Sequence, residues 1–256
     1  MRYGICNLSI VPIRIEPSET SEMVSQLLFG EHFKVLDNKK KWSKIRLQFD
    51  SYEGYIDNKQ FEEISEDQYT SLGRENPILS AELIDFITDI KGNLSTICIG
   101  STLPHYSANK ITYNSAEFSY EGATIANKKD KQYIIKNAFM YLNAPYLRGG
   151  KTPFGIDCSG FTQMVYKLCG HQLLREAKQQ ATQGSVLSFI EESEPGDLAF
   201  FDDTEGIITH VGIIMKDNYI IHAYGNVRID RLDHSGIYNV DTKRHTHKLR
   251  VIKKII

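Results

Sequence analysis

No stretch of this chain approaches the ~18 consecutive apolar residues of a membrane-spanning helix, so insertion into a bilayer is not expected. Strong charge of either sign is also missing. The net charge is −2 over 256 residues, which leaves no electrostatic footprint for nucleic acid. The basic run Lys39-Lys40-Lys41 reads as a solvated turn. The N-terminus has neither a convincing basic region nor a small-residue cleavage site. Ile13 and Ile15 flank Arg14, and this alternation is that of a strand. The chain is thus compatible with a cytoplasmic protein, or with an exported one whose signal was removed. Cysteine is scarce: Cys6, Cys98, Cys158 and Cys169 include no CxxC pair and no dense framework. Cys158 and Cys169 fall on one expected helix, roughly 16 Å apart, beyond the ~7 Å that a disulfide spans. Reduced thiols follow, with Cys6, Cys98 and Cys169 as small buried hydrophobes. No HExxH is present among the eight histidines. His245-x-His247 reads as part of a solvated tail, and neither a metal nor a cofactor is expected.

What is present is a soluble globular composition, 41% hydrophobic and 24% charged, long enough for two or three domains. Residues 1–64 read as short strands, among them Phe33–Leu36, Ser43–Leu47 and Tyr52–Ile56, parted by charged or Gly/Asp turns. Over 65–127 the pattern weakens. A helix-like patch spans Leu79 to Ile90, followed by alternating residues such as Ile111, Tyr113, Phe118 and Tyr120. The run Lys128-Lys129-Asp130-Lys131 reads as a linker into a third segment, 128–256. There, Gln132 to Leu142 carries apolar residues at helical spacing and Pro145 ends the helix. Cys158 to Cys169 is the next helix. Leu198–Phe201, Thr209–Met215, Tyr219–Tyr224 and Leu249–Ile255 read as strands, so helices precede a run of strands in an α+β domain.

Chemistry concentrates in this third segment. A glycine-rich approach, Tyr146-Leu147-Arg148-Gly149-Gly150, leads to Asp157-Cys158-Ser159-Gly160-Phe161. A cysteine opening a helix meets free backbone N–H groups and the positive end of the helix dipole, both favouring a thiolate. His210 can share its proton, and a third polar group can orient His210. If Lys216-Asp217-Asn218 is a three-residue hairpin loop, His222 lies opposite Gly212, and His210 and His222 share one sheet face as diagonal neighbours. A two-residue loop would separate them. The Cys158 backbone N–H is one candidate donor to an oxyanion.

Residues 131–256 resemble the NlpC-type papain-like peptidases, which cut peptides of bacterial peptidoglycan. The resemblance rests on Tyr146, Gly149-Gly150, Asp157-Cys158-Ser159-Gly160-Phe161, His210-Val211-Gly212 and Ile221-His222-Ala223. It implies Cys158 as nucleophile, His210 as base, His222 as orienting group and the Tyr146 hydroxyl beside the nucleophile. Upstream, Pro12-x-Arg14, Pro17, Leu27-Leu28-x-Gly30-Glu31, Trp42 and Gly54-Tyr55-Ile56 resemble a bacterial SH3-like barrel, with Tyr55 where that family usually has Trp. A second, degenerate SH3-like domain is expected over 65–127. The combination resembles the YkfC-type γ-D-glutamyl-diamino-acid endopeptidases. It implies a murein peptide substrate, L-Ala-γ-D-Glu-diamino acid, whose free amine would meet Asp157 together with Glu22 and Tyr52 (or Tyr55) of the barrel. Ser159 would position substrate or cap the helix. Arg175 and Gln180 echo an Arg-x-Ser-x-x-Gln segment of the family, with Ala177 replacing the serine. The alternatives are a papain-like amidase or endopeptidase acting on intact wall, and a non-catalytic wall-binding protein.

Overall fold

Period-two alternation of buried and exposed residues runs through the first strands, as in Ile10-Val11-Pro12-Ile13-Arg14, and it dictates a sheet with one buried face. The computed structural model describes residues 1–74 and 76–256, in two compact units, Met1–Asn127 and Lys128–Ile256. The first unit begins with β1 (Arg2–Ile5), β2 (Ile10–Arg14), β3 (Met23–Leu28), β4 (His32–Asn38), β5 (Trp42–Leu47), β6 (Glu53–Asp57) and β7 (Glu62–Ile64). They form an antiparallel sheet ordered β3-β2-β6-β5-β4-β1-β7. Val11, Ile13, Leu27, Phe33, Ile45 and Ile56 fill its core. Lys39, Lys40 and Lys41 are exposed between β4 and β5.

After β7 comes α1 (Glu66–Arg74), an element the sequence reading did not assign. Its signal was present: the Ser65 hydroxyl accepts from the Gln68 N–H, and Glu66 and Asp67 occupy the first turn. Tyr69 of α1 stacks on Tyr3, ring centroids 4.4 Å apart. The helix-like patch at Leu79–Ile90 is instead β8 (Leu79–Ser80) and β9 (Ile84–Asp89). Here the spacing of Leu79, Ile84, Ile87 and Ile90 is overridden by pairing: β9 forms a hairpin with β10 (Leu94–Cys98) about a turn in which Asp89 caps Lys91 and Asn93. With β11 (Lys110–Tyr113), β12 (Ala116–Ser119) and β13 (Thr124–Ile125), residues 79–125 make a four-stranded sheet ordered β10-β9-β12-β11 and a separate β13-β8 ribbon.

The second unit opens with α2 (Gln132–Met140), which buries Ile134 and Ala138 but leaves Phe139 exposed. The preceding charged run is not a bare linker. The Lys131 ammonium lies 2.6 Å from the fully buried Asp197 carboxylate, which needs that countercharge. A small ribbon, β14 (Lys151–Thr152) and β15 (Gly155–Ile156), precedes α3 (Cys158–Lys167) and α4 (Ala177–Gln180). Then follow β16 (Ser185–Leu187), β17 (Leu198–Asp202), β18 (Ile208–Ile214), β19 (Tyr219–Tyr224), β20 (Asn226–Asp233), β21 (Gly236–Asn239) and β22 (Arg244–Lys254). Their order is β16-β22-β17-β18-β19-β20-β21, and β22 also pairs with β21, so six strands close on themselves. All ten residues of α3 are buried. The helix packs on β18 and β19, which carry the two histidines singled out above.

Candidate active site

Asp157 fixes the start of α3. Its backbone is extended and its carboxylate accepts from the Gly160 N–H at 2.6 Å, a side-chain N-cap. The other oxygen accepts from the Gly149 N–H at 2.7 Å, which ties the glycine-rich approach to the helix. Arg175 grips both oxygens, at 3.0 and 2.7 Å, and also donates to the Ser159 hydroxyl, which points to Asp157. Gln180 holds the same turn, donating to the Ser159 and Leu174 carbonyls and accepting from Thr162. Asp157, Ser159, Arg175 and Gln180 are therefore bound to one another, and they set the position of Cys158.

The Cys158 sulfur lies 4.0 Å from the Thr209 carbonyl and meets the Val211 N–H, the two residues that flank His210. Burial pushes its thiol up to about 12 and the adjacent Asp157 carboxylate adds to that, against the opposing pull of the Val211 and Ser159 N–H groups and Arg175. The thiolate expected from the helix N-terminus alone is thus outweighed by desolvation, and the resting group is a thiol. Tyr146 lies close by, with its side chain exposed. Its hydroxyl is raised by burial, then by the charges of Cys158 and Asp157.

The two histidines meet through hairpin register. The Met215 N–H bonds to the Tyr219 carbonyl around Lys216-Asp217-Asn218, a three-residue loop in which Asp217 and Asn218 both adopt positive φ. Gly212 accordingly pairs with His222. The Nε2 of His210 lies 2.8 Å from the Nδ1 of His222. Burial lowers both imidazoles; for His210 the effect is large and is reinforced by His222 and His247, while for His222 it is opposed by Asp230. Both rings are neutral at neutral pH.

Three further residues around this pair were not found from sequence. Asp230, fully buried, lies 3.1 Å from the Nε2 of His222 and is gripped by Arg228 at 2.7 and 3.0 Å. Pairing of β19 with β20 places Arg228 opposite His222, a register that a short loop after Tyr224 would have suggested. His247 corrects the expectation of a solvated histidine tail. It stacks on His210 with centroids 4.1 Å apart and an interplanar angle of 25°, because β22 crosses this end of the sheet. Burial, then His222, lowers it to about 4. His245 is exposed and pairs with Asp233. Among the described residues no group of three or more His, Cys, Asp or Glu is arranged to hold a metal.

Glu22 and Tyr52 belong to the first unit. Glu22 is exposed just before β3, and Tyr52 is half-buried against the barrel core, its N–H capped by Asp50.

Residues 143–246, which span the cysteine and both histidines, match the NlpC/P60 family. This segment is an NlpC/P60 domain. Ahead of the NlpC/P60 domain, residues 13–61 match the bacterial dipeptidyl-peptidase SH3 domain. A γ-D-glutamyl-L-lysine dipeptidyl-peptidase of Bacillus subtilis is 36% identical over 92 residues, 35% of this chain and 31% of that protein, so the match spans about a third of that relative. Dipeptidyl-peptidase 6 of Lysinibacillus sphaericus is 24% identical over 248 residues, covering 85% of this chain and 87% of the relative. The crystal structure of an NlpC/P60 family protein from Bacillus cereus superposes with a TM-score of 0.83 at 19% identity, covering 99% of each chain, and so shares the fold.

Proposed function

We propose that the protein is a cysteine peptidase that hydrolyses the bond between γ-D-glutamate and the diamino acid of murein peptides bearing a free N-terminal L-alanine. The observation that carries this reading is the Cys158 thiol seated against the backbone on either side of His210, with His210 held 2.8 Å from His222. The names of the relatives, which refer to γ-D-glutamyl-L-lysine and dipeptidyl cleavage, support the bond chosen.

Because the Nε2 of His210 is committed to His222, its Nδ1 takes the thiol proton as sulfur attacks the scissile carbonyl carbon. The oxyanion is met by the Cys158 N–H and the Tyr146 hydroxyl. Collapse expels the diamino acid amine, which takes the proton from His210 and leaves a thioester. Water, deprotonated by His210, then releases the L-Ala-D-Glu dipeptide. Asp157 carries five donors on its two oxygens and is neutralised by Arg175; as ligands of the substrate ammonium the proposal keeps Asp157 together with Glu22 and Tyr52. Resemblance alone supports that part of the proposal.

The test is hydrolysis of L-Ala-γ-D-Glu-lysine, its diaminopimelate counterpart and their N-acetylated forms, with products identified by mass spectrometry. Release of L-Ala-D-Glu is expected, lost in Cys158→Ala and reduced by roughly 10⁴ on acetylation, since a polar pocket left unpaired discriminates on that scale. Equal rates on free and acetylated peptides would remove the amine requirement, and cleavage of intact wall alone would replace the substrate.

A further inference from the structure

Asp230 lies outside the nucleophile and base, yet four groups converge on its buried carboxylate. Oδ2 receives Arg228 Nε at 2.7 Å, Asn239 Nδ2 at 3.3 Å and the His222 ring at 3.1 Å. Oδ1 receives Arg228 Nη2 and the Val240 N–H, both at 3.0 Å. Burial by itself would raise this carboxyl, but hydrogen bonds from His222, Arg228 and Val240 bring it down to about 2, so it is ionised at neutral pH.

We infer that Asp230 is a positioning residue that sets the tautomers of His222 and His210, so that the free lone pair of the pair falls on His210 Nδ1. An ionised carboxylate only accepts. The Nε2 of His222 must therefore carry the proton, since the other tautomer would set a ring lone pair against carboxylate oxygen at 3.1 Å. Neutral His222 then has a bare Nδ1, which accepts from His210 Nε2–H at 2.8 Å. The last free nitrogen is Nδ1 of His210, the acceptor the thiol needs. Arg228 holds the carboxylate in register while sharing its charge with Asp241. His247, stacked on His210, offers no competing charge near neutral pH. The inference rests on the cysteine peptidase reading for its effect on turnover, but not for the tautomers.

The experiment is long-range ¹H–¹⁵N correlation on ¹⁵N-histidine-labelled wild-type protein, which reads each ring tautomer without substrate. Protons on Nε2 of both His210 and His222 are expected, and a proton on Nδ1 of either overturns the inference. In Asp230→Asn, whose amide can donate, His222 should shift to Nδ1–H. The rate constant for turnover should fall by about 10² or more at unchanged KM, as when a carboxylate that orients a catalytic histidine is replaced by its amide. Undiminished turnover in a folded variant overturns the inference while leaving the peptidase reading intact. If the variant does not fold, the wild-type spectrum still decides. Should the peptides above prove not to be substrates, the tautomers and the alkylation rate of Cys158 remain to be read.

Discussion

At the scale of single residues, opposing shifts decide how the cysteine works. Cys158 is raised to about 12 and His210 is lowered, so proton transfer between them in the resting state is uphill. A preformed thiolate–imidazolium pair would react with alkylating agents almost independently of pH above the thiol's low pKa. A raised thiol behaves otherwise: its thiolate fraction grows tenfold per pH unit up to its pKa. The rate of Cys158 labelling by iodoacetamide, followed by peptide mass spectrometry, is expected to climb continuously from pH 6 to 10. A plateau from pH 6 onward would place the thiol far lower. The helix N-terminus was legible as a site for Cys158, but its electrostatic effect depended on desolvation, which residue order does not specify.

Elements bring these residues together through two close approaches that tolerate no side chain. Gly160, in the first turn of α3, faces the Gly150 carbonyl, so the glycine-rich approach lies directly against the helix. Gly212 lies under the histidine hairpin, where an added Cβ would stand 2.7 Å from Ile220 Cδ1 and 2.9 Å from His222 Cβ. Since His222 Cβ belongs to the backbone frame of β19, relief must come from moving that strand. Gly212→Ala is expected to lower turnover about 10²-fold, the usual consequence of displacing a catalytic group by around 1 Å. Circular dichroism should still show the sheet. Wild-type turnover in that variant would show that the hairpin accommodates the methyl group. The three-residue loop and the pairing of Gly212 with His222 could be reasoned from Lys216-Asp217-Asn218, whereas β21 and the path of β22 could not.

For the whole molecule, the consequence is that the buried histidines sensitive to mild acid gather in the second unit. His210, His222 and His247 all have folded pKa values below the ordinary 6.5. The unfolded chain therefore binds more protons than the folded one as pH falls. Their contribution to stability is complete above about 6.5 and is lost progressively as pH drops toward 4. The three rings lie in the second unit, as does the buried Cys169, whereas the buried Cys6 belongs to the first. Urea midpoints from pulse labelling of these thiols with dithiodipyridine should fall between pH 7.5 and 5 more for Cys169 than for Cys6. In His247→Phe, which keeps a ring on His210 but cannot be protonated, the difference should shrink. Parallel declines of both thiols would dissociate the effect from the histidines.

Sequence by itself determined the parts whose information is local. These are the alternation that makes the first barrel, the cysteine-led helix (though its cap is Asp157 and not Ser159), and the hairpin loop whose length puts His210 and His222 on one face. It misread Leu79–Ile90, because helical spacing in a short apolar run yields to strand pairing with β10. It missed Asp230 because the segment after Tyr224 was not assigned as a strand, and it misjudged His247 because that residue is remote in sequence from His210. Asp230 reaches His222 through the β19–β20 register, and His247 reaches His210 because β22 closes the sheet. Only the tertiary structure decided these contacts, and with them the protonation of the site. Burial is what holds Cys158 as a thiol and both rings neutral, and burial is a property of packing rather than of residue order.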